Sequence, residues 1–260
     1  MKNRIPAEQA FHEHFASIFR ERWTALREAL SRPARRAVLR NPFDSSLQDY
    51  TLDEASLFPA RHMAPKPGDR IADFCASPGG KSLAMIFALK GEAEWYCNDL
   101  SPARVTRLKS VFHDCLPENI FSRVHFSRSD AGLWGRRFPE QFDRVLVDAP
   151  CSGERHLLES PKELARWTLK SSQRLAVRQN ALLCAALDST RSGGRVVYST
   201  CSISPFENDG VIEKLGKSRK GGFKILSIQE ETGESTAHGW ILLPDMTGCG
   251  PIYFSVLEKI

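Results

Sequence analysis

Two kinds of hydrophobic spacing divide this chain. From residue 70 onward, short apolar runs of strand length alternate with longer stretches whose apolar residues recur at helical spacing. The strand-like runs are RIADFCA, EWYCNDL, RVHFS, FDRVLVDAP and GRVVYSTCS, and the helical stretches are KSLAMIFALK, PARVTRLKSVF, SSQRLAVRQNALLCAALDSTR and FENDGVIEKL. This alternation predicts an α/β fold, with a parallel sheet covered by helices on both faces. FKILSIQ, GWILLPD and PIYFSVLEK follow without a helix between them, so we expect the sheet to end in antiparallel strands.

The N-terminal segment, residues 1–64, is predicted to be helical and is rich in arginine. Its apolar residues fall on one face of an amphipathic helix: Phe11, Phe15, Ile18, Phe19, Trp23, Leu26 and Leu30. Residues 20–40 contain seven Arg and two Glu, a local charge of +5 that equals the net charge of the chain. Arg32, Arg35, Arg36 and Arg40 continue past the helix into a Pro-containing stretch. A solvated surface and a contact with an RNA backbone explain this charge equally well.

Length and composition indicate one main domain, residues 65–260. A chain of 260 residues that is 42% apolar can bury one sizeable core. No apolar run approaches the ~20 residues of a membrane span, and the first residues carry acids and no apolar signal core. The seven cysteines are dispersed and form no Cys-x-x-Cys pair, which argues against a metal site and favours a reducing compartment. We expect the cytoplasm, or the mitochondrial matrix if the source is a eukaryote.

The first predicted strand leads into a glycine-rich turn, ASPGGKS, at residues 76–82. The ending GKS resembles a phosphate-binding P-loop, but that motif requires a glycine where this chain has Cys75. Ligands of parallel sheets bind at the carboxyl ends of the strands. At this edge Gly79 and Gly80 let the backbone approach a ligand, and the start of the helix offers N–H groups to a carboxylate or phosphate. A purely structural turn is the alternative.

Two acids follow the next two predicted strands. Asp99 lies nineteen residues after Gly80, close to the ~20 expected for an acid that binds the hydroxyls of a cofactor ribose. Helix capping is its alternative role, although Ser101 before Pro102 is the more natural cap. Asp130 ends the third strand at the same edge, where it can accept from an adenine amino group. A nucleoside-bearing ligand without a pyrophosphate motif indicates S-adenosylmethionine, and therefore a methyltransferase.

Two cysteines follow directly on two predicted core strands. Cys151 lies in DAPCS and Cys201 in VVYSTCSISPFEND. Carbon 5 of cytosine cannot accept a methyl group unaided, but a thiolate that adds at carbon 6 turns the ring into a nucleophile. Methylation of cytosine would therefore give these thiols a purpose.

The motifs DFCASPGGKS, NDLSPARVTRL, DRVLVDAPCSG and GGRVVYSTCS followed by PFEND resemble those of the Sun-type family of RNA cytosine-5 methyltransferases. The resemblance spans about residues 65–255 and is greatest to the short mitochondrial branch that methylates ribosomal RNA. It implies that residues 65–260 form a Rossmann-like, S-adenosylmethionine-dependent catalytic domain. It also implies that Cys201 is the nucleophile and that Cys151 aids release of the methylated product.

The resemblance assigns the other site residues individually. The resemblance assigns Asp148 a hydrogen bond to N3 of the cytosine and also includes Asp148 in the cofactor site. It assigns Lys81 to either the cytosine or the cofactor carboxylate. The remaining assignments place the methionine end of the cofactor on Ala76, Ser77, Pro78, Gly79, Gly80 and Lys81, its ribose on Asp99, its adenine on Asp130, and a supporting role on Arg104.

Some parts of the chain depart from the family pattern or have a structural interpretation. Residues 154–158, ERHLL, replace a glycine and a basic loop, and residues 250–254 replace an Asp-Gly-Phe turn, which we interpret as an edge-strand variation. SPFE, residues 204–207, predicts a capping box that gives Glu207 a structural role. Asn208 can brace the loop that carries Cys201.

The resemblance implies an RNA substrate, and ribosomal RNA is favoured over tRNA. The N-terminal segment is too short for most RNA-binding modules, so the arginines, the cleft or a protein partner must bind the RNA. The target cytosine must leave its stack, which indicates a loop or an RNA at an assembly stage. The alternatives are a DNA cytosine methyltransferase with Cys151 as nucleophile and a catalytically silent RNA-binding scaffold.

Overall fold

The helices and strands alternate along the chain as the hydrophobic pattern predicts. The computed structural model describes residues 5–260. Its helices are α1 (Ala7–Phe19), α2 (Trp23–Leu30), α3 (Leu57–His62), α4 (Gly80–Ala88), α5 (Pro102–Cys115), α6 (Glu118–Phe121), α7 (Trp134–Arg137), α8 (Glu154–Glu159), α9 (Pro161–Leu164), α10 (Leu169–Ser189), α11 (Asp209–Ser218) and α12 (Pro244–Thr247). Its strands are β1 (Arg36–Leu39), β2 (Tyr50–Asp53), β3 (Arg70–Asp73), β4 (Glu94–Asn98), β5 (Val124–Ser127), β6 (Phe142–Asp148), β7 (Thr190–Thr200), β8 (Phe223–Ile225), β9 (Glu234–Ser235), β10 (Trp240–Leu242) and β11 (Ile252–Lys259).

Nine of these strands form one sheet in the order β5-β4-β3-β6-β7-β11-β10-β9, with β8 paired to β11. The strands from β5 to β7 are parallel, and β8 to β11 pair antiparallel. The chain builds outward from β3 to β5 and then returns to β6, on the other side of β3. Ligands bind such sheets where the strand order reverses, so the carboxyl ends of β3 and β6 mark the expected site. The predicted α/β fold with antiparallel C-terminal strands is confirmed.

Side chains alternate between the two faces of the sheet and build two cores. Ile71 and Leu146 point into the core that α3, α4 and α5 cover. Ala72, Val145 and Val147, their neighbours along the same strands, point into the core beneath α7, α10 and α11. Both faces are therefore buried, which explains why β3 and β6 read as continuous apolar runs.

The N-terminal helices pack onto the main domain. Phe11 and Leu26 are fully buried in a third apolar cluster that also contains Trp167 and Ile203 of the main domain. The predicted single helix is divided in two, because residues 20–22 form a short 3-10 helix. The prediction of helix for residues 1–64 was also incomplete, since β1 and β2 form a small antiparallel sheet there. No helix within residues 5–260 is long and apolar enough to cross a membrane.

Candidate functional site

The carboxyl ends of the parallel strands open onto three adjoining cavities. The largest, called the cleft below, has a volume of about 470 Å³ and is lined by Lys81, Cys151 and Cys201 among others. A cavity of about 250 Å³ borders Asp99 and is called the Asp99 cavity, and it shares Arg104 with the cleft. A further cavity of about 250 Å³, the turn cavity, lies along the glycine turn and shares Lys81 with the cleft. The predicted site residues therefore surround connected spaces.

The glycine turn joins β3 to α4 and is packed tightly. Gly79 has φ 118°, and a Cβ there would lie 2.5 Å from Cε1 of Phe112. A Cβ on Gly80 would lie 2.9 Å from Cε1 of Tyr50. Packing against α5 and β2 therefore already requires glycine at both positions. Gly79 does not line the turn cavity, whereas its neighbours do: Ala76, Ser77, Pro78, Gly80 and Lys81.

Asp99 and Arg104 form an ion pair at the wall of the Asp99 cavity. Arg104 Nε lies 2.9 Å from Asp99 Oδ2, and Arg104 Nη2 donates to the carbonyl of Ser77 at 2.6 Å. Arg104 therefore links the end of β4 to the glycine turn. The Ser101 side chain makes no capping bond, and its backbone N–H donates instead to Asp99 at 3.0 Å. The other walls of this cavity include apolar side chains: Phe74, Leu100, Pro150 and Leu182.

Asp130 does not line the Asp99 cavity. Its carboxylate accepts two hydrogen bonds from Arg178, at 2.6 and 3.1 Å, and one from the N–H of Gly132 at 2.8 Å. The bond to Arg178 holds the pKa of Asp130 below its usual range. Arg178, which the sequence analysis did not select, lines the cavity. The structure therefore places Arg178, rather than Asp130, on the wall where the adenine was expected.

Lys81 and Asp148 meet where the cleft and the turn cavity join. Lys81 Nζ donates to Asp148 Oδ2 at 2.7 Å, and Ser199 Oγ donates to Oδ1 at 2.8 Å. Burial alone would lower the pKa of Lys81, but the adjacent carboxylate of Asp148 outweighs burial and raises that pKa. Lys81 is therefore a permanent cation in this site, and both oxygens of Asp148 are held in place.

Cys151 and Cys201 face each other because their strands are neighbours. β6 and β7 run parallel with Asp148 opposite Ser199, so the chain leaves both strands at the same level of the sheet. The two Sγ atoms lie 2.7 Å apart, and both thiols are free. Its hydrogen bond with Cys201 and its burial raise the pKa of Cys151 well above the ordinary value. Cys151 therefore keeps its proton at neutral pH, while the side chain of Cys201 is exposed at the cleft.

Asn208 braces the loop that carries Cys201. Its side chain accepts from Thr200 Oγ1 at 2.7 Å and donates to the carbonyl of Ser202 at 3.0 Å. These two residues flank Cys201, and Asn208 itself is buried. One amide therefore ties together the two residues on either side of the thiol, through the side chain of Thr200 and the backbone of Ser202, as the sequence suggested.

Glu207 supports the other cysteine loop. The predicted capping box is wrong, because α11 begins at Asp209 and its N-cap residue makes no side-chain capping bond. Glu207 is instead fully buried, where it accepts from the N–H of Ser152 at 3.0 Å and from Gln179 at 2.8 Å. Glu207 therefore has a structural role, as predicted, but that role is to hold Ser152, the residue next to Cys151, in place.

Glu154 ties the two cysteine loops together. Its buried carboxyl group accepts from the N–H of Ile203 at 2.9 Å, from Ser202 Oγ at 3.1 Å and from the hydroxyl of Ser152. Burial and the charge of Glu207 raise the pKa of Glu154 to about 7. The departure from the family pattern at ERHLL thus contains a buried acid that the sequence analysis did not recognise as part of the site.

The opposite wall of the cleft comes from distant parts of the sequence. Asp53 accepts hydrogen bonds from the N–H of Ala55 and from the N–H of Gly250, both at 3.0 Å. Gly250 is 197 residues away from Asp53 along the chain. A Cβ on Gly250 would lie 2.0 Å from Asp53 Oδ2, so only glycine fits. Gly250, Pro251 and Ile252 line the cleft. The edge-strand interpretation was wrong, because β11 pairs with β7 on one side and with β8 and β10 on the other.

The four arginines that continue past the N-terminal helices, Arg32, Arg35, Arg36 and Arg40, divide into two groups. Arg36 lines the turn cavity and donates to the carbonyl of Thr51 at 3.3 Å. The other three arginines form surface ion pairs: Arg32 with Glu28 at 2.5 Å, Arg35 with Glu54 at 2.5 Å and Arg40 with Asp49 at 2.6 Å. The structure thus places one of these arginines beside the predicted site.

Comparison with known proteins gives matches over most of the chain. Residues 60–258 match the model of the family described as 16S rRNA methyltransferase RsmB/F. The chain is 39% identical over 225 residues to the protein of Bos taurus named 5-cytosine rRNA methyltransferase NSUN4, covering 79% of this chain and 58% of that protein. It is 34% identical over 226 residues to a Danio rerio protein named tRNA (cytosine(34)-C(5))-methyltransferase, mitochondrial, covering 82% of this chain and 61% of that protein. The chain thus spans less than two thirds of the length of these curated relatives.

A solved structure has the same fold. NSun6 from Pyrococcus horikoshii, determined with SFG, superimposes with a TM-score of 0.70 and 27% sequence identity. The match covers 82% of this chain and 54% of that chain.

Proposed function

The chain belongs to the 16S rRNA methyltransferase RsmB/F family, and on that premise we propose that it methylates carbon 5 of a cytosine in RNA. The observation that carries the proposal is the pair of free cysteines, Cys151 and Cys201, held 2.7 Å apart at the ends of neighbouring strands. They line the same cleft as Lys81 and Asp148. A cleft of about 470 Å³ lies within the ~300–1,000 Å³ range of small-molecule sites and can admit a single base.

The cavities beside the cleft have the chemistry that S-adenosylmethionine requires. Asp99 and the apolar walls of the Asp99 cavity suit a ribose and a base, with Arg178 at the rim. The turn cavity, lined by residues of the glycine turn and by Lys81, suits the methionine end. The bound cofactor would supply the methyl group that carbon 5 accepts. The Pyrococcus relative was solved with SFG, an analogue of this cofactor, which supports the assignment.

Cys201 is the proposed nucleophile. Its thiolate forms a bond to carbon 6 of the cytosine, and the electron pair displaced from the C5–C6 double bond makes carbon 5 nucleophilic. Asp148 hydrogen-bonds the cytosine edge at N3 and favours its protonation during this addition. Lys81 holds Asp148 in position and keeps the local charge balanced. The braced backbone around Cys201 fixes the direction from which the sulfur attacks.

Cys151 is proposed to assist release. After methylation, the proton on carbon 5 must leave before the bond between carbon 6 and Cys201 can break and restore the double bond. Because its pKa is raised, Cys151 carries its proton at neutral pH and is therefore a poor nucleophile. It lies next to the Cys201 sulfur, where its proton can pass to the departing thiolate while the resulting Cys151 thiolate accepts the proton of carbon 5, so that the net transfer is from carbon 5 to Cys201.

The names of the relatives support an rRNA or a tRNA as the substrate. The bovine protein is named an rRNA methyltransferase and the zebrafish protein a tRNA methyltransferase. We favour ribosomal RNA, because the family description and the bovine name both specify it. The zebrafish name also specifies mitochondria, which supports a mitochondrial location if the source is a eukaryote.

Transfer of a labelled methyl group tests this function. The purified protein should transfer the methyl group of labelled S-adenosylmethionine to RNA and not to DNA of the same sequence. Bisulfite sequencing of total RNA from cells with and without the gene should identify the cytosine. Methylation of DNA alone would instead support the DNA-type reaction, with Cys151 as nucleophile. Loss of a tRNA signal with unchanged ribosomal RNA would replace the rRNA assignment.

A further inference from the structure

Arg155 lines the cleft without a carboxylate partner. Three other basic side chains line it as well, and each lies next to an acidic partner: Lys81 next to Asp148, Arg104 next to Asp99, and His156 next to Glu163. Within residues 5–260, Arg155 makes no ion pair, and its buried Nε and Nη2 atoms have no hydrogen-bond partner. Two nitrogens of this half-buried guanidinium are removed from water and left without an acceptor, which is unfavourable, so the position favours an anionic ligand.

The surrounding chain holds Arg155 at the cysteines. Glu154, its neighbour, directs its carboxyl group to Ser202 and Ile203 and so leaves the guanidinium unneutralised. A Cβ on Gly153 would lie 4.0 Å from the Cys201 sulfur, so the backbone that precedes Arg155 runs along the nucleophile. Arg155 therefore lies in the first turn of α8, which begins on the Cys201 side of the cleft.

The position of Arg155 argues against the cofactor as the anion that it binds. Arg155 lines neither the Asp99 cavity nor the turn cavity, which are the two spaces assigned to the cofactor. It lines only the cleft that receives the base. A base that enters this cleft carries its own phosphates with it, and guanidinium binds phosphate through paired N–H donors. Resting on the proposed function, we propose that Arg155 binds a backbone phosphate adjacent to the target cytosine.

Binding to a short oligocytidylate RNA tests the proposal without methyl transfer. Fluorescence anisotropy should show that Arg155→Ala weakens binding by roughly tenfold or more, since a charge-assisted bond is removed. The slope of log affinity against log salt should fall by about 0.7, the value for one phosphate of a single strand. Arg155→Lys should retain the slope and lose part of the affinity, because lysine keeps the charge but not the paired donors. Arg123→Ala is the matched control, an exposed arginine just before the amino end of β5, and should leave both quantities unchanged.

Calorimetry with S-adenosylmethionine separates the two kinds of anion. Arg155→Ala should bind the cofactor with wild-type affinity, because the side chain lies outside the cofactor cavities. An Arg155→Ala variant with the affinity and salt slope of the wild type for the oligomer would overturn the proposal. The proposal would also be overturned if Arg155→Ala lost affinity only for the cofactor, or if the wild type bound the oligomer without salt dependence. Failure of methyl transfer with normal, Arg155-dependent oligomer binding would count against the proposed function alone.

Discussion

Replacement of Glu154 by Gln should stabilise the fold at alkaline pH. The carboxyl group is fully buried beside Glu207, and burial together with that charge raises its pKa from 4.5 to about 7. Well below pH 4.5 the folded and unfolded states are both protonated, and the group has no effect on stability. Between 4.5 and about 7 the unfolded state releases its proton first, so the stability of the wild type falls as pH rises. Above about 7 this loss is constant.

The magnitude follows from the two pKa values. At about 1.4 kcal/mol for each pKa unit, the interval from 4.5 to about 7 corresponds to a loss of about 3 kcal/mol at alkaline pH. Gln keeps the size of the side chain and carries no charge, so the Gln variant escapes this loss. From about pH 5 to about pH 8, the unfolding free energy of Glu154→Gln relative to wild type should increase by roughly 2–3 kcal/mol.

Urea unfolding followed by tryptophan fluorescence measures this difference. Glu159→Gln is the matched control, since Glu159 is an exposed glutamate of the same helix, α8, and its replacement should reproduce the pH dependence of the wild type. A stability difference between Glu154→Gln and wild type that does not change with pH would refute the raised pKa. A difference that decreases as pH rises would refute the burial of an acid between the two cysteine loops.

Three further predictions concern the cofactor, the RNA and the nucleophile loop. Asp99→Ala should weaken binding of S-adenosylmethionine by about 1.5–3 kcal/mol in calorimetry, because the ribose hydroxyls no longer have a charged acceptor; unchanged affinity would remove Asp99 from the site. Alanine at Arg32, Arg35 and Arg36 together should reduce the salt slope of RNA binding by roughly 0.7–0.9 for each phosphate that the variant no longer binds, and an unchanged slope would show that these arginines contact no phosphate. Asn208→Ala should destabilise the fold by about 2 kcal/mol and lower kcat while cofactor affinity stays the same, and a normal kcat would refute its bracing role.

The sequence predicted the fold well because the fold depends on local patterns. Parallel strands buried on both faces produce apolar runs, and Ile71 next to Ala72 shows how consecutive residues enter opposite cores. The break between α1 and α2 could not be predicted, because apolar spacing continues across it while the chain turns at Arg20 with φ 53°. Arg22 fixes that turn through an ion pair with Asp245, 223 residues away along the chain.

Motifs located the cysteines and acids but not the partners of these residues. Cys151, Cys201 and Asp148 meet because β6 and β7 are neighbours, which the strand pattern implies. The bond between Asp53 and Gly250, 197 residues apart, leaves no periodic signal in the sequence. Similarly, a helix-capping pattern at SPFE concealed the buried role of Glu207, because capping depends on where the helix begins and α11 begins later. Long-range pairing of polar groups therefore accounts for most of what could not be predicted.

The covalent adduct between protein and RNA tests the central claim most directly. The wild type and the Cys201→Ala, Cys151→Ala and double variants would be incubated with labelled RNA and S-adenosylmethionine and run on denaturing, non-reducing gels. Cys151→Ala should accumulate an adduct and lose turnover, because Cys201 still adds to carbon 6 while release is slow. Cys201→Ala and the double variant should form no adduct and transfer no methyl group, although both still bind the cofactor. An adduct in Cys201→Ala with none in Cys151→Ala would contradict the account and make Cys151 the nucleophile.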